Sequence, residues 1–188
     1  MRKAIILFCL FLMHCFLTRA QVKYNQVAEG INVYSSVLSR ATPDTFYVNL
    51  CTTDSLLKVY DPKNYRYYLL DTLHQAKAIE SSSWQTFLNQ IDVSKAHNYS
   101  INGRFKTKGN VISYPCSNAK SLPEYFKKGK IHYIFSPVLL SEDETKAVLV
   151  GEIYVVRAVE AVNMQFLEKK DESWDTVLTL AIYIADFE

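Results

Sequence analysis

The first twenty residues constrain this chain more than any others, because they are predicted to be removed before it folds. Arg2 and Lys3 give a positive start, Ala4 to Met13 is unbroken apolar sequence, and Thr18-Arg19-Ala20 ends the run with small residues at −3 and −1. This is the layout of a secretory signal peptide cut after Ala20. A membrane anchor needs about 20 apolar residues to cross the hydrocarbon core; this run is shorter and is broken by His14. A lipoprotein signal would want a small residue before Cys15, and His14 stands there instead. The expected location is periplasmic or extracellular, with no membrane span in the mature chain.

Cleavage changes the bulk properties. The full chain carries 21 basic and 19 acidic residues, a formal charge of +2, but Arg2, Lys3 and Arg19 leave with the leader and no acid does. The remainder is close to neutral, which argues against a nucleic-acid or anionic-membrane surface built on clustered positive charge. Cys9 and Cys15 leave too, so Cys51 and Cys116 are the two cysteines expected in an oxidising compartment, where they either pair or lie buried separately. Asn98-Tyr99-Ser100 is a glycosylation sequon only in a host that modifies secreted proteins. Residues 21–188, with few glycines and prolines and no repeat, read as a single domain large enough for a real core.

The pattern predicts an α+β fold. Tyr24, Val27, Ile31, Tyr34 and Leu38 recur at helical spacing, interrupted by Gly30 and stopped by Thr42-Pro43-Asp44. Thr45 to Leu50 reads as a strand. In the tyrosine-rich stretch that follows, Asp61-Pro62-Lys63-Asn64 looks like a turn between flanks that are either strands or ordered loop. Ser82 with Gln85 has capping-box spacing before an apolar stripe of Trp84, Phe87, Leu88 and Ile91, and Ser121 with Glu124 repeats that spacing around Pro123. Ile131 to Phe135 is predicted as a strand ended by Ser136-Pro137, and Lys146 to Val156 as a central strand, apolar on both faces. Strands through Val162–Phe166 and from Trp174 onward complete about four antiparallel strands in a C-terminal meander. The N-terminal helices are expected to pack on one face of it.

Two blocks carry a resemblance. Phe135-Ser136-Pro137-Val138-Leu139-Leu140-Ser141-Glu142-Asp143-Glu144-Thr145-Lys146-Ala147-Val148 is followed by Leu167-Glu168-Lys169-Lys170 and then Trp174. This resembles a group of uncharacterised small secreted bacterial proteins with a Phe-Ser-x-Pro strand-turn-strand and a Lys-Lys-x-x-x-x-Trp hairpin. The resemblance implies a similar fold and brings no activity with it. Where many members have a Gly/Cys-rich stretch between the central strands, this chain has Val156-Arg157-Ala158-Val159-Glu160.

Chemical motifs are sparse. His74, His97 and His132 form no zinc spacing, and His132, alternating with Ile131 and Tyr133, is expected to face away from the core. Glu142-Asp143-Glu144 lacks the alternating ligands and turning glycine of a calcium loop. No pattern calls for a metal or a cofactor. Glu152 and Glu160 interrupt apolar strands, so a small hydrolase using them, or a Cys/His pair, is one reading. A cystatin-like inhibitor or immunity-type module is another, on fold analogy alone. The leading expectation is a non-catalytic domain binding a ligand or protein partner in the cell envelope. Its candidate recognition surface is Tyr60, Tyr65, Tyr67 and Tyr68, whose rings can form an amphipathic platform.

Overall fold

The computed structural model describes residues 23–24, 27–40, 45–75, 81–101, 103–114, 131–155 and 158–184. The expected leader, Cys116, the expected helix around Pro123 and the side chain of Glu160 lie outside that description. The strands are β1 (Lys23–Tyr24), β2 (Thr45–Asn49), β3 (Asn110–Tyr114), β4 (Ile131–Phe135), β5 (Leu139–Leu140), β6 (Lys146–Val155), β7 (Ala158–Lys170) and β8 (Ser173–Ile184). The helices are α1 (Val27–Ser39), α2 (Ser55–Val59), α3 (Arg66–Gln75) and α4 (Ser81–Gln90), with 3-10 turns at Pro62–Tyr65 and Val93–Lys95.

The eight strands among the described residues belong to one sheet. Strands β4, β6, β7 and β8 form the expected antiparallel run. The sheet as a whole is mixed, however, because β2 lies parallel to both β3 and β4. An antiparallel meander therefore describes only its C-terminal half. The parallel pairs join segments far apart in sequence, so no turn signal announces them.

Helices cover both faces, not one. Along β6, Val148 and Val150 belong to one apolar cluster and Ala147 and Leu149 to another, and successive strand residues point to opposite faces. The first cluster is covered by Leu56 and Leu57 of α2, Leu69 and Leu73 of α3, and Trp84, Phe87 and Leu88 of α4. The second is covered by Val33, Tyr34, Val37 and Leu38 of α1. A central strand that is apolar on both sides needs this double cover. Glu29 in the first turn of α1 fixes that helix to the β7–β8 hairpin. Its carboxylate accepts from Lys169 Nζ at 2.7 Å and from the Trp174 indole N–H at 2.8 Å.

Ser136-Pro137 does not end the β4 line. Phe135 pairs with Gly151 and Leu139 with Val148, so four residue steps on β4–β5 run against three on β6. The extra residue makes a bulge, where a proline without an N–H is tolerated. Ser136 carries the ladder across it: its N–H donates to the Val150 carbonyl at 2.8 Å, and its hydroxyl accepts the Val150 N–H at 2.9 Å. The Ser136 carbonyl accepts from the Tyr34 hydroxyl at 2.8 Å, and that hydroxyl lies 2.7 Å from the Tyr99 hydroxyl. Two glycines make room for these groups. A Cβ on Gly30 would stand 2.9 Å from the Tyr99 oxygen, and one on Gly151 would stand 3.2 Å from the Phe135 ring. Gly30, which weakens α1 as a helix former, is explained by that approach.

Tyr34→Phe removes the donor to the Ser136 carbonyl and the neighbour of the Tyr99 hydroxyl, both inside the protein. The expected cost is about 1–3 kcal/mol, and each kcal/mol lowers Tm by roughly 2–4 °C in a chain of this size. Thermal unfolding monitored by circular dichroism checks this, with the exposed Tyr67→Phe change expected to leave Tm unaltered.

Candidate functional site

The tyrosine-rich stretch is helical, neither strand nor loop. Leu56, Leu57 and Tyr60 face the core from α2, and Tyr65, Leu69 and Leu73 then follow at four-residue intervals. That is a helix period, and it was the readable signal in a stretch where aromatic content suggested β structure. The expected turn is present in tighter form. Asp61 accepts the Lys63 N–H at 3.0 Å and Pro62 opens the 3-10 turn that runs into α3.

Helical geometry divides the predicted platform. Tyr60 and Tyr65 are partly buried and pack against the core cluster. Tyr67 and Tyr68 point outward at 72% and 56% exposure, edge to face with ring centres 6.1 Å apart. Tyr183, near the end of β8, is also exposed, at 48%.

The fold brings Glu152 to the inner tyrosines. Glu152 and Tyr154 lie two residues apart on β6 and so share a face, and the Tyr154 hydroxyl donates to Glu152 Oε2 at 2.8 Å. Across the sheet Glu152 pairs with Val162, which pairs in turn with Tyr183. Both ladders are irregular beside this row, with register shifts between Ile153 and Tyr154 and between Val162 and Asn163. Burial raises the Tyr60 hydroxyl pKa, and the neighbouring Glu152, Tyr65 and Tyr183 raise it further. Tyr154 is raised by burial first and then by its bond to Glu152. The Glu152 side chain pairs with no cation among the described residues.

The other candidates are placed differently. His132 is fully buried, correcting the expectation that it faces away from the core. Its ring stacks on Tyr47 at 4.8 Å and meets Tyr114 edge-on at 5.9 Å, and Tyr154 lies opposite it on β6. Tyrosines of β2 and β3, strands hidden from the meander reading, are what enclose it. His74 and His97 are exposed. Asp143 turns into its own loop, accepting from Ser141 Oγ at 2.6 Å and Thr145 Oγ1 at 2.8 Å. No group of three His, Cys, Asp or Glu that could hold a metal ion occurs among the described residues. Cys51 is disulfide-bonded and so offers no free thiol, and its partner sulfur lies outside the described residues. A cleft of about 560 Å³ beside the start of α4 contains Lys146, Glu168 and Lys170. Lys146 is committed within the fold, 3.9 Å from Glu168 and above the Trp84 ring.

The chain matches no protein-family model, no curated protein and no solved structure. No helix among the described residues is long and apolar enough to cross a membrane.

Burial lowers the His132 pKa below its ordinary value. The unfolded chain then binds the proton more readily, so stability is fully present above the unfolded value of about 6.5 and is lost as pH falls below it. Tm measured between pH 7.5 and 5 should fall in the parent protein and fall less in His132→Phe, which keeps a ring between Tyr47 and Tyr114.

Proposed function

We propose that the protein is exported, loses its leader after Ala20, and acts as a non-catalytic domain that binds a ligand or partner in the cell envelope. The exposed Tyr67–Tyr68 pair carries the reading. Two adjacent phenol rings more than half exposed on one helix supply apolar area with polar tips, the combination suited to recognition. The core explains Leu69, Leu73, Tyr60 and Tyr65, but it does not need Tyr67 or Tyr68. The free-thiol form of the hydrolase reading is disfavoured by the bonded state of Cys51.

We also propose that Cys51 pairs with Cys116. Every residue of β2 is matched in β3 by the residue 65 positions later, and the same interval separates the two cysteines. Intact mass of the exported protein tests the export and pairing proposals together. The expected value is that of residues 21–188 less two hydrogens, and reduction should restore them. A mass retaining residues 1–20, or one with two free thiols, would contradict the corresponding proposal.

For recognition, the mature chain and its Tyr67→Ala/Tyr68→Ala variant are compared on an array of envelope glycans and peptides. Binding by the parent should drop at least tenfold in the variant with Tm unchanged. Undiminished binding by the folded variant would sink this surface as the recognition site.

A further inference from the structure

Glu152 differs from Glu29, Asp54 and Asp143 in what surrounds it. Glu29 meets Lys169, Asp54 meets Lys58 and Asp143 closes its own turn. Glu152 accepts a hydrogen bond from Tyr154, its row on the sheet runs through Val162 to Tyr183, and Tyr60 and Tyr65 pack against the core cluster that contains Val162. Glu152 is only partly exposed, so the carboxylate has given up some of its water without gaining a positive partner among the described residues. A half-desolvated charge of this kind costs free energy unless a counter-charge arrives. Aromatic faces attract cations through the ring quadrupole, and they do so more strongly once water is displaced.

We propose that Glu152, with Tyr154, Tyr60, Tyr65 and Tyr183, forms a binding site for a small organic ammonium ion. Val162 stands between Glu152 and Tyr183 in this row and is itself buried in the core, so alkyl groups on the cation would meet the partly exposed rings. An anion is repelled by the carboxylate. A neutral polyol would leave the charge of Glu152 unanswered. A substituted ammonium matches both parts of the site, its charge answering Glu152 and its methylenes answering the rings. Register shifts lie beside this row on both ladders, between Ile153 and Tyr154 and between Val162 and Asn163, with a further one on β7–β8 between Phe166 and Leu167, and bulges beside sites serve to re-aim side chains. The inference deepens the binding role proposed above by naming the ligand chemistry, but it rests on different residues from Tyr67 and Tyr68.

Choline chloride is titrated into the mature protein at constant ionic strength, followed by NMR of the tyrosine rings. Its uncharged carbon isostere, 3,3-dimethylbutan-1-ol, is titrated in parallel. Saturable choline binding is expected, shifting Tyr60, Tyr65, Tyr154 and Tyr183, with the isostere at least tenfold weaker. Glu152→Gln keeps an acceptor for Tyr154 and removes the charge, and should weaken choline at least tenfold. Tyr60→Leu keeps apolar packing and removes a ring, and should weaken it several-fold. Equal binding of choline and isostere, full binding by folded Glu152→Gln, or no saturation would each overturn the site. The Tyr67→Ala/Tyr68→Ala variant should bind choline normally. Loss there alone would support the outer pair as the recognition surface and refute Glu152.

Discussion

The sheet depends on how one extra residue is accommodated at Ser136-Pro137-Val138. Without the bulge, β4 and β5 would be one unbroken strand along β6, and a slip of one residue sends every later side chain to the other face. With it, Leu139 reaches the cluster under α2–α4 while Leu140 reaches the cluster under α1. Proline removes a donor at that point, and the Ser136 hydroxyl replaces an acceptor for the Val150 N–H. The carbonyl left over is bonded by Tyr34, which ties α1 to the bulge across more than a hundred residues. The same side chain therefore satisfies the irregular backbone and positions the helix that covers one face.

The second tie of α1 sits at the other end of its packing. Glu29 collects Lys169 and Trp174 from both strands of the β7–β8 hairpin, and the Lys169 ammonium lies 5.7 Å from the Trp174 ring centre. The Phe135-Ser136-Pro137 block and the Lys169-Lys170 to Trp174 block thus have separate physical duties, one holding the bulge and the other holding the helix. Both concern architecture.

Local signals in the sequence were mostly sufficient for local structure. Strand β4 follows the predicted Ile131 to Phe135 limits, and the Trp84-Phe87-Leu88-Ile91 stripe is buried as its spacing requires. What the sequence withheld was non-local. Residues in β2 pair with partners 65 positions away in β3, with no turn to mark the event. Those strands extend the sheet past β4 and enclose His132 between Tyr47 and Tyr114, although its alternation with Ile131 and Tyr133 suggested an outward side chain. Alternation assigns residues to two faces, but it cannot say that both faces are covered. The tyrosine stretch failed for another reason. Aromatic residues suit strands, and that preference outweighed a four-residue period that only tertiary packing makes decisive.

The grouping of Glu152 with Tyr60, Tyr65 and Tyr183 shows why a site of this kind is invisible to motif reading. Its members come from β6, the end of α2, the 3-10 turn and β8, four segments separated by between five and about ninety residues. A carboxylate in an apolar strand and a run of tyrosines each had an ordinary structural explanation when taken alone. Only the register, Glu152 to Val162 to Tyr183, sets the acid and the outer phenol in one row. The α2 segment then lays Tyr60 near that row, because Leu56 and Leu57 must be buried and Tyr60 follows on the same helical side. Packing of the core thus fixes the aromatic neighbours of Glu152, while no core requirement asks for a charge there. A leucine would fill such a strand position at lower cost in desolvation. The hydrogen bond from Tyr154 offsets part of that cost, and the cation we propose would offset the rest.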